Sequence, residues 1–315
     1  MLCASTQKWH EGPAWESFFS IYDKIAYEQF SSQGGESRLI PTSYGDTQVH
    51  IRGNPDNPPL CFFHGISSCS LMFGEWLIPK LSEDFYCVAI DTIGDIGRSC
   101  PRDKDPKNGT KTEEEVGDWA LQIFRVLDLN RNNRSVHLVG YSMGSFLASC
   151  VARQDPHAIG RVILLAPAGV LSAVRKAWLL QAISFAVLSN LVAENSSLLK
   201  RLQRWFFGTM MADITSMKNL KYPELRKATD EAGMAQVQIQ PTVMDIPTLQ
   251  KMNEATPTLI VIGRQENVIN ASQAIEAASA SNMKLIVYEN AGHMLFCEHP
   301  REAVISEIKS HLIQS

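Results

Sequence analysis

The chain lacks several things whose absence removes whole classes of protein. It has no uninterrupted apolar run of the roughly twenty residues that a membrane-spanning helix requires. The nearest stretch, Ala177 to Ala193, is uncharged but broken by Gln181, Ser184, Ser189 and Asn190. It reads as a buried or lipid-facing lid helix. Dense positive charge of the kind that binds nucleic acid is also missing: 29 basic residues face 33 acidic ones, for a net charge of -4. The one basic cluster, Lys200, Arg201 and Arg204, reads as a solvated helix face. Seven cysteines are present, an odd number, with no CxxC pair of a zinc or redox site. Cys61, Cys87 and Cys150 sit inside apolar runs, where a free thiol behaves as a small hydrophobe. No metal-ligand cluster and no glycine-rich dinucleotide fingerprint appears, so no cofactor is expected. Met1 to Lys8 lacks the apolar core of a secretion signal. Together with reduced thiols, this leads to the expectation of a cytoplasmic protein. Repeats and low-complexity tracts are absent as well.

What is present is an alternation of strands and helices. Trp15, Phe18, Phe19, Tyr22, Ile25 and Tyr27 are spaced as on an amphipathic helix, and Ser31 to Gly35 breaks it. Strands are expected at 48–52, 60–63, 85–90, 135–139, 161–165, 258–262 and 284–288. Helices are expected at 113–129, 145–154 and 301–313. Such alternation implies crossover connections and a mainly parallel sheet covered on both faces. It lapses between Val170 and Ile246, where the pattern is helical and rich in Trp178, Leu179, Phe185, Trp205, Phe206, Phe207, Met210 and Met211. That segment interrupts the sheet without ending it, as an insertion would. The chain therefore divides into 1–169, an insertion at 170–246, and 247–315.

The strongest chemical signal is Gly140-Tyr141-Ser142-Met143-Gly144, placed between a strand and a helix. In that setting the two glycines allow a tight elbow that lifts the serine clear of the sheet. A serine hydroxyl needs a base to become a nucleophile. For an elbow serine, the acid and then the histidine come later in the chain. His293 follows the last strand, at the end where a parallel sheet presents its reactive groups. His157 and His299 each adjoin a proline and read as surface loop. The carboxylate that would orient the imidazole is Glu266, just past the strand 258–262, with Asp245 and Asp95 as alternatives. Backbone donors for an oxyanion are expected at Met143 and, in the loop after His64-Gly65, at Ile66, with Ser67 next in line.

With these motifs in hand, the sequence resembles the α/β-hydrolase superfamily from about Arg38 onward. The resemblance is carried by Phe63-His64-Gly65, Asp91 to Ser99, the Ser142 elbow, Gly263 to Asn267, Ala291 to Met294, and Glu298-His299-Pro300. It implies an eight-stranded, mostly parallel sheet flanked by helices, with a helical cap after the sixth strand. It also implies a triad of Ser142, Glu266 and His293 and an oxyanion hole at Ile66 and Met143. There are three departures from the family pattern: glutamate where aspartate is commoner, an extra residue between the glycines of 91–99, and Ser145 in place of a glycine. A serine nucleophile argues against dehalogenases and epoxide hydrolases, which the resemblance associates with aspartate. The expected activity is hydrolysis of a small to medium hydrophobic ester, thioester or lactone, without nucleic acid or a stable membrane span. Carbon–carbon bond hydrolysis, a lyase or cofactor-free oxygenase, and a non-catalytic ligand receptor remain as alternatives. The sequence is silent on oligomeric state.

Overall fold

The structure is a computed structural model that describes residues 10–192, 196–219, 221–232, 236–297 and 300–313. Cys3, the segment Met1 to Lys8, the end of the uncharged stretch at Ala193, and the pair Glu298-His299 lie outside the described residues.

Nine strands among the described residues form one sheet: β1 (Glu36–Thr42), β2 (Gly45–Arg52), β3 (Pro59–Phe63), β4 (Tyr86–Ile90), the two-residue β5 (Cys100–Pro101), β6 (Val136–Tyr141), β7 (Ile159–Leu165), β8 (Thr258–Gly263) and β9 (Lys284–Tyr288). The main path runs β1-β2-β4-β3-β6-β7-β8-β9, and β5 pairs with β2 outside it. Pairing is antiparallel among β1, β2, β4 and β5 where β2 is a partner, and parallel from β4 through to β9. The expected eight strands are therefore the main path, with β5 as a short addition.

Helices cover both faces. In chain order they are α1 (Pro13–Gln29), α2 (Leu71–Gly74), α3 (Ile78–Leu81), α4 (Glu113–Val126), α5 (Met143–Gln154), α6 (Lys176–Asn190), α7 (Ser197–Gly208), α8 (Pro223–Ala232), α9 (Ile246–Ala255), α10 (Ala271–Ala280) and α11 (Arg301–Ile313). The central strands show why two faces need covering. Val162 and Leu164 of β7, with Ile260 and Ile262 of β8, pack beside α4, α5, α9 and α10. Their neighbours Ile163, Leu165, Leu259 and Val261 pack beside α1, α3 and α11. Side chains alternate across a strand, so a strand buried on both sides reads as an unbroken apolar run.

On α1 the buried residues are Trp15, Phe18, Tyr22, Ile25, Ala26 and Gln29, one stripe at helical spacing. Tyr27, expected on that stripe, points outward and is exposed. The Tyr22 hydroxyl reaches both His50 Nε2, at 2.6 Å, and Asp91 Oδ2, at 2.7 Å, fixing α1 to the sheet by buried hydrogen bonds. Helix α4 begins with a reciprocal cap between Thr112 and Glu115, which satisfies donors that a helix start otherwise leaves open.

The parallel strands bring the C-terminal ends of β3, β6, β8 and β9 to one rim. Residues 64–68, 142, 264–269 and 289–293 follow those ends directly. The segment 170–246 leaves and returns beside itself: Met244 N–H donates to Val170 O at 3.0 Å. It is not helical throughout, because residues 236–245 run without regular structure before α9.

Candidate active site

Ser142 sits between β6 and α5 at φ 54° and ψ -120°, a left-handed backbone that a side chain rarely adopts. What forces this is the turn from a strand directly into a helix packed on the same sheet. At Gly144 a Cβ would run into the backbone of Phe63 and His64, and at Gly140 into that of Gly144 and Ser145. The elbow thus requires glycine at both positions. Gly144→Ala is expected to cost about 3 kcal/mol or more in urea unfolding, since the obstruction is backbone and cannot rotate away. An unchanged unfolding midpoint would contradict this close approach. Ser145, the residue that departs from the family pattern, is fully buried, and its hydroxyl donates to Gly140 O at 2.9 Å and Leu165 O at 3.3 Å. A buried hydroxyl is tolerated there because both acceptors are at hand.

The structure brings Ser142, His293 and Glu266 into one hydrogen-bonded line. His293 Nε2 lies 2.9 Å from Ser142 Oγ, and His293 Nδ1 lies 2.6 Å from Glu266 Oε2. All three residues are buried. A carboxylate beside Nδ1 holds the proton on that nitrogen, which leaves the Nε2 lone pair facing the serine hydroxyl. The other carboxylate oxygen, Glu266 Oε1, accepts Val268 N–H at 2.6 Å and Ile269 N–H at 3.4 Å, so the glutamate is itself anchored. Its longer side chain is accommodated by this anchoring within the loop after β8.

Neither alternative carboxylate touches His293. Asp245 is exposed and caps α9 by accepting Thr248 N–H at 2.9 Å. Asp95 is buried, accepting Ile96 N–H at 2.7 Å and Ser67 N–H at 2.9 Å. Burial pushes its carboxyl well above the usual range, against the pull of those N–H donors. Asp95 therefore shapes the loop that follows β3. His64 braces the same loop: its Nδ1 donates to Gly65 O at 2.8 Å and its Nε2 accepts Thr92 N–H at 2.9 Å. Burial lowers the His64 pKa, consistent with a neutral ring that donates at one nitrogen and accepts at the other.

A Cβ on Gly65 would stand 3.2 Å from Ser142 Cβ, so this loop approaches the serine closely. Ile66 follows it with its side chain exposed, and Ser67 adopts φ 54°. Met143 is the first residue of α5, where helix N–H groups have no carbonyl partner within the helix. Of the two positions expected to hold an oxyanion, Met143 follows Ser142 directly and Ile66 follows Gly65, which approaches it. His157 is exposed, and His299 lies outside the described residues.

Two supports had no sequence signal. The Tyr141 hydroxyl donates to His293 O at 2.9 Å, bridging 152 residues of chain. Met210 O accepts His293 N–H at 2.7 Å and Met294 N–H at 3.2 Å, tying the histidine loop to the segment after α7. Around that tie, Phe206, Phe207, Met211, Met294 and Cys297 form an apolar cluster joined by Trp178 and Phe185. Leu179 and Trp205, apolar residues of the same segment, face outward.

Comparison with known proteins gives a consistent set of likenesses. Residues 58–300 match the family model described as alpha/beta hydrolase fold. The chain is 26% identical over 278 residues to the uncharacterized carboxylesterase nap of Bacillus subtilis (strain 168), covering 84% of this chain and 83% of that protein. It is 25% identical over 281 residues to monoacylglycerol lipase abhd6-B of Xenopus laevis, covering 83% and 78%. The crystal structure of naproxen esterase (carboxylesterase NP) from Bacillus subtilis has the same fold at TM-score 0.79 and 22% identity, covering 96% of this chain and 99% of that one.

Proposed function

We propose a serine acyl-enzyme mechanism for this chain, which belongs to the α/β-hydrolase family and, like its carboxylesterase and monoacylglycerol lipase relatives, is a carboxylic-ester hydrolase. The observation that carries the mechanism is the unbroken relay from Ser142 Oγ through His293 to Glu266, at 2.9 and 2.6 Å.

In this reading Ser142 Oγ attacks the ester carbonyl while His293 Nε2 takes its proton. The carbonyl oxygen becomes an oxyanion held by the N–H groups of Met143 and Ile66. Collapse of the tetrahedral intermediate breaks the ester C–O bond, and the leaving alkoxide receives the proton from His293. Water then repeats the sequence on the acyl-enzyme: His293 removes its proton, the hydroxide attacks, and the acid leaves as Ser142 regains its proton. Glu266 accepts from His293 Nδ1 and supports the imidazolium in both halves.

The apolar cluster of Trp178, Phe185, Phe206 and Phe207 beside the histidine loop supports a small to medium hydrophobic substrate, with thioesters and lactones open to the same chemistry. We assign the cap to 170–246 and the core to 1–169 and 247–315, on the meeting of Val170 with Met244. Cys61, Cys69, Cys87, Cys100 and Cys150 are free thiols, which supports a reducing compartment such as the cytoplasm.

A fluorophosphonate probe tests the nucleophile directly. One adduct per chain is expected, mapped by mass spectrometry to the peptide that contains Ser142, with hydrolysis of a p-nitrophenyl ester lost in step with labelling. A folded chain that takes up no probe and turns over no ester would leave the ligand-receptor alternative in its place.

A further inference from the structure

Helix α6 is apolar on two sides, and only one of them is used. Trp178, Ala182 and Phe185 face the cap cluster, with the Phe185 and Phe206 rings stacked at 4.5 Å. The opposite side presents Leu179, Leu180, Ile183, Val187 and Leu188 to solvent, continued by Leu191 beyond the helix. Leu180, Ile183 and Leu191 are 66%, 60% and 77% exposed. A surface helix ordinarily carries polar residues on its outward side. A contiguous stripe of this kind marks an interaction surface, whereas scattered single residues would need no explanation.

The residues bordering the stripe indicate what it meets. Arg175 and Lys176 stand at the start of α6, and Lys200, Arg201 and Arg204 are exposed along α7. From Arg175 to Arg204 the sequence holds those five basic residues against one acid, Glu194, in a chain whose net charge is -4. Exposed Leu198 and Trp205 lie among them. A leucine-rich helix face with a basic border and an exposed tryptophan fits the boundary layer of a bilayer, where apolar side chains enter the acyl region and cations meet phosphate.

We propose that the outward face of α6, with the basic border on α7, docks this chain reversibly on a lipid surface rich in anionic headgroups. The docking is peripheral, since no helix among the described residues is long and apolar enough to cross a membrane. A second copy of the chain is the less suitable occupant. A symmetric contact would set each patch against its own kind and bring the basic residues of two chains together. This inference goes beyond ester hydrolysis and does not depend on turnover.

The test is sedimentation of the purified full chain with vesicles of phosphatidylcholine alone or mixed with phosphatidylglycerol. Binding is expected to the mixed vesicles and to weaken as salt is raised, because surface charges are screened. The triple variant Lys200→Glu/Arg201→Glu/Arg204→Glu is expected to lower partitioning about a hundredfold. Leu180→Ser/Ile183→Ser/Val187→Ser is expected to lower it at least about tenfold. Both should keep the parent melting temperature and hydrolysis of a water-soluble short ester, because the altered side chains touch neither core nor site. Ser142→Ala should bind vesicles like the parent, which separates docking from catalysis. The proposal is overturned if the parent does not sediment with mixed vesicles, or if either triple variant binds undiminished. It is equally overturned if the parent forms a dimer that the leucine-face variant dissolves while vesicles bind neither.

Discussion

Replacing Ser142 with alanine is expected to lower kcat for a p-nitrophenyl ester by about a millionfold and to leave KM within a few-fold. In the proposed mechanism the hydroxyl oxygen forms the acyl-enzyme, and its removal leaves only the proposed oxyanion donors and the binding contacts. Alanine retains the Cβ, so the elbow keeps its left-handed geometry and the fold is preserved. Circular dichroism and the melting temperature should therefore match the parent, while fluorophosphonate labelling disappears. A variant that retained more than about a hundredth of the parent kcat would assign the nucleophile to another group.

Glu266→Gln is the second large effect, expected to lower kcat by about ten-thousandfold. The reason lies in how the carboxylate is held. One oxygen accepts the N–H groups of Val268 and Ile269, and the other accepts from His293 Nδ1. An amide that keeps its oxygen on the two backbone donors must turn its NH2 toward His293. The imidazole then answers with its lone pair on Nδ1, which leaves a proton on Nε2 facing the serine. The base is disabled without being moved. Glu266→Asp keeps the charge and should recover part of the rate. A loss smaller than about tenfold in Glu266→Gln would mean that the acid lies elsewhere, and the same measurement on Asp95→Asn and Asp245→Asn would locate it.

Legibility followed burial and locality. Strands β3, β4, β6, β7 and β8 were readable because they are nearly enclosed on both faces, so their sequences are continuous apolar runs. β1 was not: of Glu36–Thr42 only Ile40 is buried, and an edge strand open to water carries no such run. The short helices α2 and α3 and the alanine-rich α10 likewise gave little periodic signal. At the site, the residues that meet were readable because each follows a strand end. Tyr141 and Met210 were not, since their contacts to the histidine loop join distant parts of the chain. The orientation of α6 was hidden for a different reason. A helix apolar on opposing sides has no preferred face in the sequence, so Leu179 could not be told from Trp178.

The double acceptance at Met210 O couples the segment 170–246 to the position of His293. That carbonyl belongs to the insertion, while the donors belong to the loop carrying His293. Displacing that carbonyl would pull on the backbone of His293 and draw its imidazole out of line with Ser142. Any change that shifts residues 209–211 is therefore expected to disturb the Ser142–His293 hydrogen bond as well, although Met210 itself touches neither side chain through these bonds.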